Sequence, residues 1–248
     1  MMRWSRSLQR PVDEENPYWM SFSDIMSALM VIFVLASVVL ILQLMERQRE
    51  FDAQLAELAR AEQVRRTIIE EAAEELKNRG IRVQVSENHT VLRIPNDVLG
   101  FDTGAWEIEE QYKETALEIG KVLGLVIRRG RRAQYLDTVF VEGHTDNRQF
   151  RRDDIKGNWG LSTFRAISLW EYWEVALPEV VRLADLDNAA GDPLFSVSGY
   201  GKTRPVTDVQ ETEADYEVNR RIDIRFTIRR PSTEDYRSVR GLFEADSS

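Results

Sequence analysis

The chain has no cysteine and only two histidines, His89 and His144, among its 248 residues. The first absence excludes disulfides and thiolate metal sites and leaves the redox compartment open. The second excludes a multi-histidine metal centre. There is no excess of positive charge: 33 Lys and Arg stand against 42 Asp and Glu, a net charge of −9. Nucleic acid, which favours basic faces, is therefore not an expected partner. Phosphate-loop, nucleophile–base and metal-cluster motifs are also missing, so no catalytic residue and no cofactor are assigned. What remains is ordinary globular composition, 43 % hydrophobic and 30 % charged, with one concentrated apolar segment.

That segment lies in "SFSDIMSALMVIFVLASVVLILQLM". From Ile25 to Leu42 no residue carries a formal charge, which reaches the threshold for a transmembrane helix. The run starts too far into the chain, and its apolar core is too long, for a typical signal peptide. No small-residue cleavage site follows. An uncleaved single span over 17–45 is expected, after a short tail at 1–16. Tyr18, Trp19 and Phe22 resemble an interfacial aromatic belt. Asn16 and Pro17 suit the N-cap and N1 positions of a helix.

Asp24 stands at the head of this run. A helix opening at Pro17 places it two turns inside, roughly 10 Å along the axis. A carboxylate there is costly and marks an ion path. A helix opening later makes Ser23 or Asp24 a simple cap. Ser21, Asp24, Ser27 and Ala28 form a small, polar stripe, the kind of face that meets another helix rather than lipid. Arg3, Arg6 and Arg10 before the span barely outweigh Arg47 and Arg49 after it, a weak sign of a cytoplasmic N-terminus.

Residues 46–80 read as a helical connector. The stretch 46–79 lacks Pro and Gly and is rich in Glu, Arg, Ala and Leu. Phe51, Leu55, Leu58, Ile69, Ala72 and Leu76 roughly follow a 3-4 spacing, interrupted at Glu62 and Arg65. A short parallel coiled coil and a solvated helix with one apolar stripe both fit. Fully helical, the connector would span about 50 Å. Gly80 suits the C′ stop.

From Ile81 the periodicity changes. "IRVQVS" and "TVLRIP" alternate and read as strands around a polar turn. Residues 107–128 show helical spacing, "DTVFVEG" a buried strand, 160–176 a helix, and "LFSVSGYG" and "RIDIRFTIR" further strands. This alternation predicts an α/β sandwich, helices packed on a mixed sheet, over 81–231, with a tail at 232–248.

Several ordered motifs then carry a resemblance. They are Gly143-His144-Thr145-Asp146, Asn158-x-x-Leu161-Ser162-x-x-Arg165-Ala166, Gly199-Tyr200-Gly201 and Asn219-Arg220-Arg221. Together they resemble the OmpA-like peptidoglycan-binding domain over about 90–230. The resemblance implies a site for the diaminopimelate of a peptidoglycan stem, whose ammonium and carboxylate share one carbon. Asp146 would accept from the ammonium, and Arg165 would grip the carboxylate. Asn158 would donate and accept, and Leu161 would form an apolar wall. The competing reading of Asp146 and Arg165 is a plain salt bridge. The loop between Asp146 and Asn158 is longer than in many relatives and carries Arg148, Arg151 and Arg152; a lid and a solvated loop face both fit. His144 reads as a structural strand-end residue. Arg220 and Arg221 read as partners of acids at the sheet edge, with a ligand role as the alternative.

The whole layout, an Asp-bearing span, a helical connector and a wall-binding domain, resembles the B subunit of rotary stators (MotB-like). That resemblance implies an inner-membrane, single-pass protein with a cytoplasmic N-terminus and a periplasmic C-terminal domain. It implies a homodimer inside five copies of a polytopic A subunit, with Asp24 binding the translocated H⁺ or Na⁺. The short tail, short chain and lack of a separate plug segment resemble the Zorya antiphage system more than the flagellum. A flagellar stator subunit and a passive membrane-tethered peptidoglycan-binding protein are the alternatives.

Overall fold

A computed structural model describes residues 17–230 except 87, 102–103 and 152–155. The expected tails at 1–16 and 232–248, the Asn16 cap, and Arg152 of the long loop lie outside the described residues. The chain divides into two compact units, residues 1–53 and 54–248.

A helix, α1 (Pro17–Asn78), opens at Pro17 in the first unit and runs on into the second. Asp24 therefore lies inside the helix and is not its cap. The segment that follows is long and apolar enough to cross a membrane, and none of its apolar window is buried. Its hydroxyls turn back on the helix: Ser27 Oγ donates to the Ser23 carbonyl and Ser37 Oγ to that of Phe33, both at 2.8 Å. This satisfies polar groups that lipid could not. Trp19 and Phe22 meet edge to face at 6.4 Å.

The second unit is a mixed α/β domain, as expected. Its strands are β1 (Gln84–Val85), β2 (Val91–Pro95), β3 (Leu136–His144), β4 (Phe195–Gly199) and β5 (Arg221–Ile228). They form one sheet in the order β1-β2-β5-β3-β4. All neighbours are antiparallel except β3 and β4. The helix α2 (Glu110–Arg128) precedes β3, and α3 (Gly157–Ala176) lies between β3 and β4. A short helix, α4 (Glu213–Asn219), leads into β5.

The C-terminal part of the connector's apolar stripe has a destination, while Phe51 and Leu55 stay exposed. Ile68, Ile69, Ala72 and Leu76 are fully buried and belong to the domain core, with Ile119, Leu123, Trp173, Leu92 and Ile224. The compact unit thus begins at Gln54, inside the segment read as connector rather than at Ile81. The physical reason is that a helix with a wide apolar face is stabilised by burying it on a sheet domain. Arg129 and Arg132, in the turn after α2, hold Glu71 of α1 by hydrogen bonds of 2.7–2.8 Å. Trp173 is wholly buried, and its indole N–H donates to the Ala116 carbonyl at 2.7 Å, joining α3 to α2.

Candidate functional site at the end of the third strand

β3 ends at His144, so the chain leaves the sheet as Thr145 and Asp146 and returns as the first turn of α3. Gly143 sets how closely the two elements approach. A Cβ there would stand 1.9 Å from the Ser162 carbonyl oxygen, so only glycine lets the strand lie against the helix backbone. The Gly199-Tyr200-Gly201 turn locks the corner. Gly201 sits at φ +51°, donates its N–H to Ser162 Oγ at 2.9 Å, and accepts from the Thr145 N–H at 2.9 Å.

The four residues expected to bind ligand are brought together. Asp146, Asn158, Leu161 and Arg165 line one cavity of about 160 Å³, with Gly104, Thr145, Arg148, Phe150 and Arg220 among the other walls. Asn158 organises the corner. Its Oδ1 accepts from the Phe150 N–H at 2.8 Å, and its Nδ2 donates to the carbonyls of Asp146 and Arg148 at 3.1 and 2.9 Å. Leu161 is buried beside it.

Arg165 is only 2 % exposed. Its Nε donates to the Ala105 carbonyl at 2.9 Å, and its guanidinium lies 5.1 Å from the centre of the Phe101 ring. These contacts fix the guanidinium plane. Burial pushes its pKa down to about 10, with Arg220 acting in the same direction and Asp146 opposing it. It therefore stays cationic at neutral pH.

Asp146 is held by cations. Its Oδ2 accepts from Arg148 Nη2 at 2.7 Å, Arg148 Nε at 3.1 Å and Arg220 Nη1 at 3.0 Å, and its Oδ1 from the Arg148 N–H at 3.0 Å. Burial alone would raise this carboxyl. The hydrogen bonds from Arg148 and Arg220 outweigh it and hold the group below its ordinary value. Asp146 and Arg165 are thus two walls of a cavity, each with further partners of its own.

Two residues of this site were not among the expected ligands. Arg220 pairs with acids, as expected, but at the cavity: it reaches Asp146 and also donates to Glu213 Oε1 at 2.7 Å. Its neighbour Arg221 pairs with an acid as expected, Asp223 at 3.1 Å, but both lie on the central strand β5 and not at an edge of the sheet. Arg148, for which a lid and a solvated loop face both fit the sequence, bonds Asp146. The placing of Arg148 two residues from Asp146 was the available signal, but the pairing of Arg220 depends on α4, a polar helix that periodicity does not reveal.

His144 belongs to a different cluster, beneath the site. Glu142, His144 and Asp223 are all buried and close together. Arg225 bonds Glu142 at 2.7 Å, and Arg221 and Arg93 bond Asp223. Three guanidiniums already supply the counter-charge here, which opposes a further dication. His144 stacks on Tyr200 at 5.4 Å, and Arg204 covers the other ring at 3.8 Å. The cluster reads as structural.

No protein-family model and no curated protein matches the chain. Among solved structures, a MotB-like protein from Desulfovibrio vulgaris is 20 % identical, covers 69 % of this chain and 99 % of its own, and superposes with a TM-score of 0.51. The cell wall anchor of the T6SS from Pseudomonas aeruginosa is 22 % identical over 63 % of this chain and 96 % of its own, at a TM-score of 0.45. The periplasmic domain of Helicobacter pylori MotB is 15 % identical over 67 % of this chain and 88 % of its own, at 0.43. The α/β domain thus has the fold of a MotB-like domain.

Proposed function

We propose that this chain is the peptidoglycan-anchored B subunit of an inner-membrane rotary stator. The observation that supports this reading most is the convergence of Asp146, Asn158, Leu161 and Arg165 on one cavity, in a MotB-like fold. A diaminopimelate stem presents an ammonium and a carboxylate on one carbon. A buried carboxylate and a buried, plane-fixed guanidinium on facing walls match those two charges. The N-terminus is cytoplasmic, α1 spans the inner membrane, and the α/β domain is periplasmic.

Asp24 is the ion-binding carboxylate in this reading. It lies inside α1, directly before the uncharged run. Two copies of the chain sit in a ring of five polytopic A subunits, and H⁺ or Na⁺ loading on Asp24 steps the ring while the wall anchor holds the dimer still. The setting is the Zorya antiphage system. The chain performs binding and ion transfer and no covalent chemistry.

Two substitutions test the two halves. Arg165→Ala should abolish binding to isolated cell-wall sacculi; undiminished binding would remove the anchor. Asp24→Asn should abolish phage protection while leaving the complex assembled. A fully protected Asp24→Asn strain, with no co-purifying partner, would make the chain a passive tether. Lost motility instead of lost protection would make it a flagellar subunit. Imaging of the purified complex should show a ring of five around two.

A further inference from the structure

Asp146 is the group that a ligand ammonium needs, and its Oδ2 is already over-subscribed. A carboxylate oxygen offers about two lone pairs, and three N–H groups of Arg148 and Arg220 converge on it. Oδ1 has one further acceptor position beside the Arg148 N–H. An ammonium that bonds both oxygens of Asp146 therefore needs one of the guanidiniums to leave.

The two guanidiniums differ in their freedom to do so. Arg220 has a side chain 10 % exposed, and it is held on its far side by Glu213 at 2.7 Å. Arg148 has a side chain 42 % exposed. It has a second berth on α4: its Nη1 bonds Glu213 Oε2 at 3.1 Å, and its guanidinium lies 4.2 Å from the centre of the Tyr216 ring. Leaving Asp146 costs Arg148 its bonds to Oδ2 but not these contacts. The backbone N–H of Arg148 stays on Oδ1 in either position.

We propose that Arg148 is a built-in competitor for the ligand ammonium, occupying Asp146 and withdrawing onto Glu213 and Tyr216 when an α-amino-acid zwitterion enters. This rests on the peptidoglycan-stem reading of the cavity and adds to it a residue that sets the affinity. A ligand with a carboxylate alone meets Arg165 but does not displace Arg148. A ligand with an ammonium alone displaces one cation while remaining beside Arg165 and Arg220, which repel it. Only a ligand with both charges on one centre gains at both walls. Arg148 thereby lowers affinity for any ligand that must place an ammonium on Asp146, and sets how tightly the zwitterion is held.

Titration calorimetry on the full chain in detergent tests this, using a soluble stem peptide that ends in meso-diaminopimelate. Arg148→Gln should bind about tenfold tighter, the equivalent of one charge-assisted hydrogen bond no longer displaced. Arg148→Lys, which keeps the charge but loses the fork, should tighten binding less and guards against a folding defect in the first variant. The same peptide with its terminal diaminopimelate amine acetylated should bind neither wild type nor Arg148→Gln. Arg165→Ala should bind nothing. If both Arg148 variants bind no tighter than wild type while Arg165→Ala stays silent, the competitor role is overturned and the stem reading stands. If Arg165→Ala binds like wild type, the stem reading falls, and the competitor role falls with it.

Discussion

Arg132 clasps Glu71 with both arms of its guanidinium, Nη1 to Oε2 at 2.8 Å and Nη2 to Oε1 at 2.7 Å. The fork ties the C-terminal part of α1 to the turn after α2. Arg129 adds a bond of 2.7 Å to the same carboxylate. The hydrogen bond from Arg132 is the largest cause, with burial opposing, that takes the Glu71 pKa from 4.5 to about 2. A carboxyl depressed on folding contributes stability above its unfolded value. That stability is lost as pH falls from 4.5 toward 2. With Glu71 and Arg132 partly screened by solvent, Glu71→Gln should cost about 1–2 kcal/mol at neutral pH and lower the melting temperature by a few degrees. Thermal melts of both proteins should converge as the pH drops through that window. A gap that persists at the acid end would show that the loss is one of packing, not charge.

His144 should stay neutral throughout the physiological range. Burial, then Arg221, Arg93, Arg225 and Arg204, push its pKa from 6.5 down to about 2. Its Nε2 lies 3.4 Å from Asp223 Oδ2, a distance at which a protonated ring would form an ion pair. With three guanidiniums bonded to Asp223 and Glu142, the neutral ring is the form that fits. Below 6.5 the unfolded chain takes up a proton that the folded one refuses, so this group also lowers stability as the solution is acidified. In an NMR titration the His144 ring signals should be flat from pH 8 to 5. A midpoint near 6.5 would contradict the burial argument.

Asn158 is expected to distinguish a hydrogen-bond organiser from a mere spacer. Asn158→Ala removes one acceptor and two donors from the Asp146–Phe150 corner. The cost should be about 1–3 kcal/mol, with sacculus binding weakened by about tenfold or more. Asn158→Asp keeps the acceptor for the Phe150 N–H but sets a carboxylate oxygen against two carbonyls. It should be worse than alanine in both assays. Equal behaviour of the two variants would mean that the corner orders itself without this side chain.

Much of the domain was legible because its strands and helices have regular periods. The alternation of "RIDIRF" marks β5, although this central strand buries Arg221 and Asp223 as well as Ile222 and Ile224, and the apolar run before His144 is a strand packed between two neighbours. Four of the site residues followed from motif resemblance, and the topology brings them to one corner. The rest depended on long-range partners. The 3-4 stripe of the connector was visible, yet nothing local tells Ile68 and Leu76 whether they will meet another helix or a sheet domain. β1 shrank to Gln84–Val85, paired with Arg93 and Leu92, and Pro95 at the end of β2 has no N–H to extend the ladder toward Ile81. α4 is too short and polar for periodicity to reveal, although its Thr212–Asp215 capping box was present in the sequence. Without α4 in view, Arg220 could not be placed on Asp146, nor Arg148 on Glu213.

The contact between Gly143 and the Ser162 carbonyl has a consequence for how this pocket can change over time. Most distances between a strand and its covering helix are cushioned by side chains, and they drift as core residues are exchanged. Here the strand and helix rest backbone on backbone, with no cushion to thin or thicken. The span from the end of β3, where Asp146 leaves the sheet, to the α3 turn that carries Arg165 is therefore a fixed gauge. Substitutions elsewhere in the core can retune the stability of the domain without respacing its two charges. Divergence in ligand choice must come from side chains on the rim, such as Arg148, and not from the frame.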